Sequence, residues 1–385
     1  PDRSAEILEA VNNIRLVRQP TNEGFIRACN AGAQEARGQY LCFLNNDTQV
    51  AKGWLDELVR TFDEFPGTGL AGSKLLYPDG TLQEAGCIVW QDASAWNFGR
   101  GEDPSLPVYN YAREVDYCSG ASIMTPKTLF ESLGGFDEHY LPAYAEDADL
   151  ALKIRDKGFR VVYQPLSVVH HFEGATAGRD TSKGVKAHQV ANLRKLHERW
   201  RGRLVAHQPN GHNVDAAKDR RATKRALVLD LCTPTPDRDS GSIDAYNWML
   251  ILREMDFQVT FIPEDNFLYM PPYTQDLQRI GVEVLYAPFT ASVKEHLIEH
   301  GRRYDLVFLF RVAVVQRNLS DIRRYCPAAR ILFNTVDLHY LRLEREALLE
   351  KDDQKMQFAR DLKKLEYDAI RSVDAATVVS AEEHR

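Results

Sequence analysis

Short apolar runs alternate with amphipathic helical stretches in two separate parts of this chain, and that rhythm admits few folds. From residue 13 the order reads strand ("IRLVRQ"), helix ("GFIRACNAGAQEAR"), strand ("YLCFL") and helix ("GWLDELVRTFDEF"), the last with Trp54, Leu55, Leu58, Val59 and Phe62 at helical spacing. Strands alternating with helices predict a mainly parallel sheet covered on its faces. Between Gly69 and Thr125 the pattern changes to short strands ("GLAGSKLLY", "GCIVW", "EVDYCSG", "ASIMT") divided by Pro, Gly and Asp turns, so the sheet should be mixed. A helix at "AEDADLALKIRDKG" and two strands, "FRVVYQP" and "SVVHH", follow.

The rhythm restarts at "RALVLDLC" and runs through "FQVTFIP", "VEVLYAP", "YDLVFLFR", "ARILFNTVD" and "AATVVS", which predicts a Rossmann-like, doubly wound sheet. The chain has 385 residues, and single cores stop growing near ~250 to 300. Between the halves, "HQPNGHNVDAAKDRRATK" is polar and aperiodic, and the boundary is placed near Ala222. The expected division is a first α/β domain over 1–205, a linker over 206–224 and a Rossmann-like domain over 225–385.

Composition removes several function classes. With 44% hydrophobic and 27% charged residues the chain reads as globular, and no apolar run approaches the ~20 residues that span a bilayer. A net charge of -7 gives no global pull on nucleic acid, so no nucleic-acid partner is expected. Cys29, Cys42, Cys87, Cys118, Cys232 and Cys326 form no CxxC pair, which favours a reducing, cytoplasmic setting. No basic start followed by an apolar segment reads as a secretory signal, and because residue 1 is not Met the chain is expected to continue upstream. The basic stretch "KAHQVANLRKLHERWRGR" reads either as a solvated helix packed in the protein or as a peripheral contact with anionic lipid headgroups at the inner face of the membrane.

Polar clusters terminate the apolar elements of the first half. Asn45-Asn46-Asp47 ends a buried strand, where ligands of parallel sheets bind and where a carboxylate suits a hard divalent cation; an Asx turn capping the next helix fits equally well. Glu146-Asp147-Ala148-Asp149 lies in the first turn of a helix, whose dipole favours ionised carboxylates, and capping is the bland account. Asp137 and Glu138 follow a Gly pair, and "PLSVVHH" ends in two histidines that can ligate metal.

The succession "NEGFIRACNAGAQEARGQYLCFLNNDTQVAKGWLDELV", "YCSGASIMTPKTLFESLGGFDEHY" and "EDADLALKIRDKGFRVVYQPLSVVHH" resembles the inverting nucleotide-sugar glycosyltransferases of family 2, with the GT-A fold, over about residues 13–176. The resemblance implies that Asn45, Asn46 and Asp47 hold the DXD position, with Asp47 on a Mn2+ or Mg2+ ion that binds the donor diphosphate. Asn stands at the first position instead of Asp, which makes Asn45 a sugar or ribose contact. It implies further that Asp147 is the general base, that Glu146 orients base or acceptor, and that His170, in preference to His171, completes the metal site. Asn22, Gly24 and Phe25 fall beside the nucleotide, Cys118, Ser119 and Gly120 along the sugar pocket, and Asp137 on the acceptor side. The family also places a strand, helix and strand before this point, so the chain is expected to lack the start of that domain and with it complete base recognition and activity.

Residues 225–385 resemble, more loosely, the N-terminal lobe of GT-B glycosyltransferases such as family 4, through "ALVLDLCTPTPDRDSGS" with Gly241 and through "NTVDLHYLRLERE"; a generic Rossmann-like domain competes. A C-terminal lobe is then expected beyond the sequence, in a larger parent with two modules. Arg311 and His339 stand at strand ends here and are pocket candidates, with structural or surface roles preferred and no catalytic role assigned. The function implied is metal-dependent transfer of a sugar from a nucleotide-diphosphate sugar to a hydroxyl of a glycan or lipid-linked glycan, in bacterial surface polysaccharide synthesis. A non-catalytic sugar-binding or scaffolding module and a nucleotidyltransferase are the competing classes; the latter needs a second metal-binding acid near Asp47 that "NNDT" lacks.

Overall fold

The structure is a computed structural model and describes residues 4–172 and 188–378. The chain divides into two compact units, one of residues 1–104 and 113–220, the other of 105–112 and 221–385.

In the first unit, helices α1 (Ser4–Glu9) and α2 (Gly24–Glu35) precede β1 (Tyr40–Leu44), β2 (Thr48–Val50), α3 (Trp54–Glu64), β3 (Thr68–Leu76), β4 (Leu82–Glu84), β5 (Cys87–Val89), β6 (Ala95–Asn97), β7 (Arg113–Glu114) and β8 (Ser122–Pro126). Then come α4 (Lys127–Ser132), α5 (Glu146–Asp156), β9 (Arg160–His171), α6 (His188–Leu204) and α7 (Val214–Lys218). The main sheet runs β1-β8-β3-β9-β2, with β4 on β3 and β7 on β9, while β5 and β6 pair apart. Leu58, Ala71 and Met124 join α3, β3 and β8 in one core cluster, with Tyr40, Trp54 and Phe62 against it.

Three expectations change here. The sheet is mixed, but only β3 and β9 pair in parallel; every other pairing of this unit is antiparallel among the described residues. β1 and β3 do run the same way, but β8 enters between them in the opposite sense. The alternation of strands and helices fixed direction and left neighbours open. "IRLVRQ" forms no strand: residues 14–19 have no ladder partner, and Ile14, Leu16 and Val17 stay exposed. Apolar alternation needs a neighbouring strand to become one. The two strands expected after α5 are one, β9, whose register on β3 steps from Ser73↔Gln164 to Lys74↔Val168. Pro165 lacks the N–H that a ladder needs, and the Leu166 N–H turns to Gln164 Oε1 instead (3.3 Å).

Residues 205–220 are built into this unit. Asn213 caps α7 through Ala216 N–H, and Arg220 reaches Asp116 Oδ2 at 2.9 Å, beside the buried Arg155–Asp116 pair. On α6, Asn192, Leu196, Trp200 and Leu204 form the buried stripe at steps of four, the helical face expected from packing.

The second unit holds β10 (Lys224–Asp230), α8 (Ser240–Glu254), β11 (Phe257–Pro263), α9 (Tyr273–Arg279), β12 (Val282–Val284), α10 (Val293–His300), β13 (Leu306–Phe310), α11 (Val312–Tyr325), β14 (Arg330–Asn334), α12 (His339–Glu350), α13 (Asp353–Ser372) and β15 (Ala375–Thr377). The order β12-β11-β10-β13-β14-β15 is parallel throughout. Counted within the unit this is 3-2-1-4-5-6, the order of dinucleotide-binding folds. Alternate residues feed two cores: Leu227, Leu229, Val307 and Leu309 on one face, Ala226, Val228, Phe308 and Phe310 on the other. No helix among the described residues is long and apolar enough to cross a membrane.

Candidate active site

β1 carries Leu41 and Phe43 inward, and beyond Leu44 the chain leaves the sheet by a polar turn. Asn45 N–H bonds Ala121 O on the β8 side, Thr48 Oγ1 bonds Asn45 O, and Phe172 N–H bonds Asp47 O (2.9 Å), so the turn is tied to both neighbours of the site. Asp47 Oδ1 is buried without a hydrogen bond, and His171 Nε2 lies 3.3 Å from it. Asn45 Nδ2 is 3.5 Å from the same ring nitrogen, and His171 Nδ1 is held at 3.0 Å by Gln83 Oε1. Asn46 is exposed.

The histidine of this group is therefore His171, where His170 was expected. The two are neighbours on β9, opposite Thr48 and Gln49, and successive strand side chains point to opposite faces. Spacing in sequence places both at the strand end and leaves the face open.

An orphaned carboxylate oxygen beside an imidazole whose far nitrogen is anchored fits one edge of a divalent cation's shell. Among the described residues no three His, Cys, Asp or Glu side chains gather as a metal cage. Asp47 and His171 would thus supply part of the shell, and phosphate oxygens and water the rest, as hard cations at phosphate sites allow.

The α5 acids lie on the other side of the turn Cys118–Gly120. Ala145 enters α5 in the left-handed region (φ 76°), which turns Glu146 and Asp147 inward at the helix start. Asp147 Oδ2 accepts from Gly120 N–H (3.1 Å) and Oδ1 from Ala148 N–H (2.8 Å). Burial raises the Asp147 carboxyl, and these two N–H groups work against the rise. Glu146 is buried with Oε2 unpartnered, and burial, then the charge of Asp147, push it up to about 8. Of the two, Asp147 ionises first, because donated N–H bonds favour its charged form and Glu146 lacks such help on Oε2. Glu146 is the acid that keeps its proton at neutral pH.

Asn22 Oδ1 accepts from Gly24 N–H (3.1 Å) and starts α2 with an Asx turn. Gly24 is at φ 80°, and a Cβ there would sit 3.0 Å from Pro142 O, so only glycine fits. Phe25 packs on Phe136 at 5.8 Å and approaches Gly120, where a Cβ would lie 3.4 Å from its ring. The structure thus brings together Phe25, Gly120, Asp147 and Glu146 as one group, and Asn45, Asp47 and His171 as another, linked through Ala121. Cys118 is buried against Gly72 and Ser119 is half-buried on the same turn.

Asp137 is tied down. Its Oδ1 accepts from His139 N–H, and Oδ2 meets Lys153 (3.0 Å) and Arg199 (2.7 Å). Burial acts to raise its carboxyl, but Arg199, the His139 N–H and Lys153 outweigh it and hold it well below the ordinary range. Asp149, third acid of the motif, is buried and takes Tyr140 OH (3.1 Å), Trp200 Nε1 (2.8 Å) and Lys153 Nζ (2.8 Å). Asn192 Nδ2 gathers the carbonyls of Tyr140, Ala143 and Tyr144. α6 therefore pins the loop that delivers Glu146 and Asp147.

Residues 1–111 match the model of the family described as Glycosyl transferase family 2. The N-terminal region carries a family 2 glycosyltransferase domain. "O-antigen biosynthesis protein RfbC" of Myxococcus xanthus is 36% identical over 158 residues, 39% of this chain and 12% of its own length. "N-acetylglucosaminyl-diphospho-decaprenol L-rhamnosyltransferase" of Mycobacterium tuberculosis is 25% identical over 254 residues, 56% of this chain and 80% of its own. "Uncharacterized protein y4gI" of Sinorhizobium fredii is 27% identical over 194 residues, 49% of this chain and 21% of its own. The chain thus spans about a fifth of the last and about an eighth of the first.

Within the first unit, the sequence did not single out Gln83, Glu84, Asn192, Arg199 and Trp200. Gln83, Glu84, Arg199 and Trp200 each bond from a distant stretch to a named residue, and Asn192 bonds the loop before Glu146. A usable signal existed for one pair: Asn192 and Trp200 stand eight apart on the buried stripe of α6, where a polar residue needs a partner.

In the second unit, Asp230 ends β10 buried and pairs with Arg311 Nε at 2.9 Å. Asp239 caps α8 through Ser242, and Gly241 lies in that first turn, where a Cβ would be 2.9 Å from Val336. His339 Nδ1 meets Asp337 at 3.0 Å on the surface.

Proposed function

We propose that the first unit is a metal-dependent, inverting glycosyltransferase of GT-A type that moves a sugar from a nucleoside-diphosphate sugar to a hydroxyl of a glycan or lipid-linked glycan. The observation that carries this reading is the half-buried Asp147 carboxyl, held by the Gly120 and Ala148 N–H groups across one glycine turn from the orphaned Asp47 oxygen. In this reading Asp147 takes the proton of the acceptor hydroxyl, whose oxygen bonds to the anomeric carbon as the carbon–diphosphate bond breaks, with the electron pair leaving on phosphate. The N–H groups of Gly120 and Ala148 hold the base ionised and aimed. Asp47 and His171 would hold a Mn2+ or Mg2+ ion, which supplies charge for the departing diphosphate. Asn45 and the Cys118–Gly120 turn lie where they can meet the sugar, and Phe25 walls the same space. Asp137, spent on Lys153 and Arg199, shapes the acceptor side from behind.

The relatives' printed names support a place in bacterial surface polysaccharide synthesis with a polyprenyl-diphosphate-linked acceptor. For the second unit we propose the N-terminal lobe of a GT-B glycosyltransferase, on the strength of its 3-2-1-4-5-6 parallel sheet; the unit boundary then falls between Arg220 and Arg221.

The donor site is tested by calorimetric binding of UDP, dTDP and GDP with Mn2+ or with EDTA. Binding of one nucleotide should require the metal, and should be lost in Asp47→Ala and His171→Ala but kept in His170→Ala. Binding indifferent to EDTA and to all three changes would remove the metal from the account.

A further inference from the structure

Glu84, at the end of β4, is 1% exposed. Its Oε1 accepts from Ser119 N–H at 2.9 Å, and its Oε2 from Asn97 Nδ2 at 3.1 Å. The very next amide, Gly120 N–H, donates to Asp147 Oδ2 at 3.1 Å. Two consecutive amides of one turn are thus held by two carboxyl groups, one from β4 and one from α5. We propose that Glu84 is a positioning residue for the transfer reaction: it fixes the Ser119–Gly120 turn, and the turn fixes the carboxylate of Asp147. The proposal rests on the reading of Asp147 as the base.

The turn has little freedom of its own to do this. A Cβ on Gly120 would meet the Phe25 ring at 3.4 Å and Asp147 Cβ at 3.8 Å, so the peptide lies close between the aromatic wall and the base. A shift of the turn therefore moves the Asp147 oxygen and the wall together. Burying an acid is costly unless its oxygens are satisfied, and both oxygens of Glu84 are.

The electrostatics agree with a quiet partner. Burial pushes Glu84 up to about 7; the Ser119 N–H, Cys87 and Arg100 draw it down, and Asp147 raises it. Cys87, Cys118 and Tyr117, which share this space, are all raised by burial and remain neutral, and Glu146 beyond Asp147 is protonated at neutral pH. Below pH 7 Glu84 holds its proton while Oε1 still accepts from Ser119, so Glu84 adds no second charge beside Asp147.

The test follows the Gly120 amide proton by NMR through a pH titration, with nucleoside diphosphate release from UDP-, dTDP- and GDP-sugars measured alongside. In the parent the Gly120 signal should move as Asp147 ionises, and Asp147→Asn should abolish that movement. Glu84→Ala should shrink it at least twofold and lower turnover tenfold or more, whereas Glu84→Gln, which keeps the Oε1 acceptor, should retain both within about twofold. If Glu84→Ala does not fold, Asn97→Ala releases the same carboxylate from a half-exposed strand and should give an intermediate loss. A parent-like Gly120 titration and parent-like turnover in Glu84→Ala or Asn97→Ala would overturn the proposal. Absence of turnover by the parent on every donor overturns the transfer reading itself, and the amide titration then still decides the clamp.

Discussion

At the residue scale, the site depends on which of several adjacent acids is charged. Glu146 is the clearest case, because its carboxyl rises from an ordinary 4.5 to about 8 on folding. An acid with a raised folded pKa binds a proton on folding. Its contribution is fully present below the unfolded value and is lost as pH climbs from about 4.5 towards about 8, with a limiting slope of about 1.4 kcal/mol per pH unit. Glu146→Gln should reduce that slope: urea midpoints of the variant should fall less steeply than the parent's across the window, leaving the share that Glu84 and Asp147 contribute. Equal slopes in both would show that Glu146 ionises normally. The acids themselves were legible in sequence, since "EDAD" at a helix start and "NND" at a strand end both stand out. Their ranking was not. It comes from the N–H groups of Gly120 and Ala148 and from the orphaned Glu146 oxygen, none of which a linear pattern encodes.

At the element scale, helices and strands were readable where periodicity had a packing partner and unreadable where it did not. β1 follows its apolar spacing with Phe43 inward, whereas α3 buries Leu58 and Thr61 and leaves Leu55 and Val59 of its expected apolar face exposed. "IRLVRQ" has the same alternation but no ladder, and "FRVVYQPLSVVHH" is one strand bulged at Pro165 that ends with His171 beside Asp47. Gly72 on β3 is a close approach that sequence could not announce: a Cβ there would lie 2.2 Å from Cys118 Cβ. Gly72→Ala should cost about 1–3 kcal/mol, the usual range for overpacking. Cys118→Ala should fail to relieve it because the Cβ remains, while Cys118→Gly should restore part of the loss. Thermal unfolding of the two double variants checks this, and relief by alanine would mean the clash lies elsewhere. α6 belongs to the same scale. Trp200→Phe keeps an aromatic side chain, though a smaller one, and deletes one hydrogen bond to the buried Asp149, for an expected loss of about 1–3 kcal/mol from the bond and some further loss from the vacated volume.

At the scale of the whole molecule, two units with separate cores share one chain, and the second repeats the strand–helix alternation with a wholly parallel sheet. That alternation was plain in the sequence because parallel strands buried on both faces read as unbroken apolar runs such as "LVFLF". The excursion of residues 105–112 into the second unit was not, since "SLPVYNYA" has the look of a surface loop. Removing Arg311 would leave Asp230 buried without its cation, which typically costs about 3–5 kcal/mol. Arg311→Ala should therefore speed amide exchange in β10 and β13 and leave β3 and β9 as protected as before; uniform loss of protection would mean the cores do not respond separately.

The account turns on Asp147 as the group that accepts the acceptor's proton, and one comparison tests it most directly: turnover and nucleotide binding of the parent against Asp147→Asn, under one metal concentration. The variant should bind the nucleoside diphosphate as the parent does while releasing it from the sugar nucleotide about 100 to 10,000 times more slowly. Turnover by Asp147→Asn at the parent rate would contradict the account.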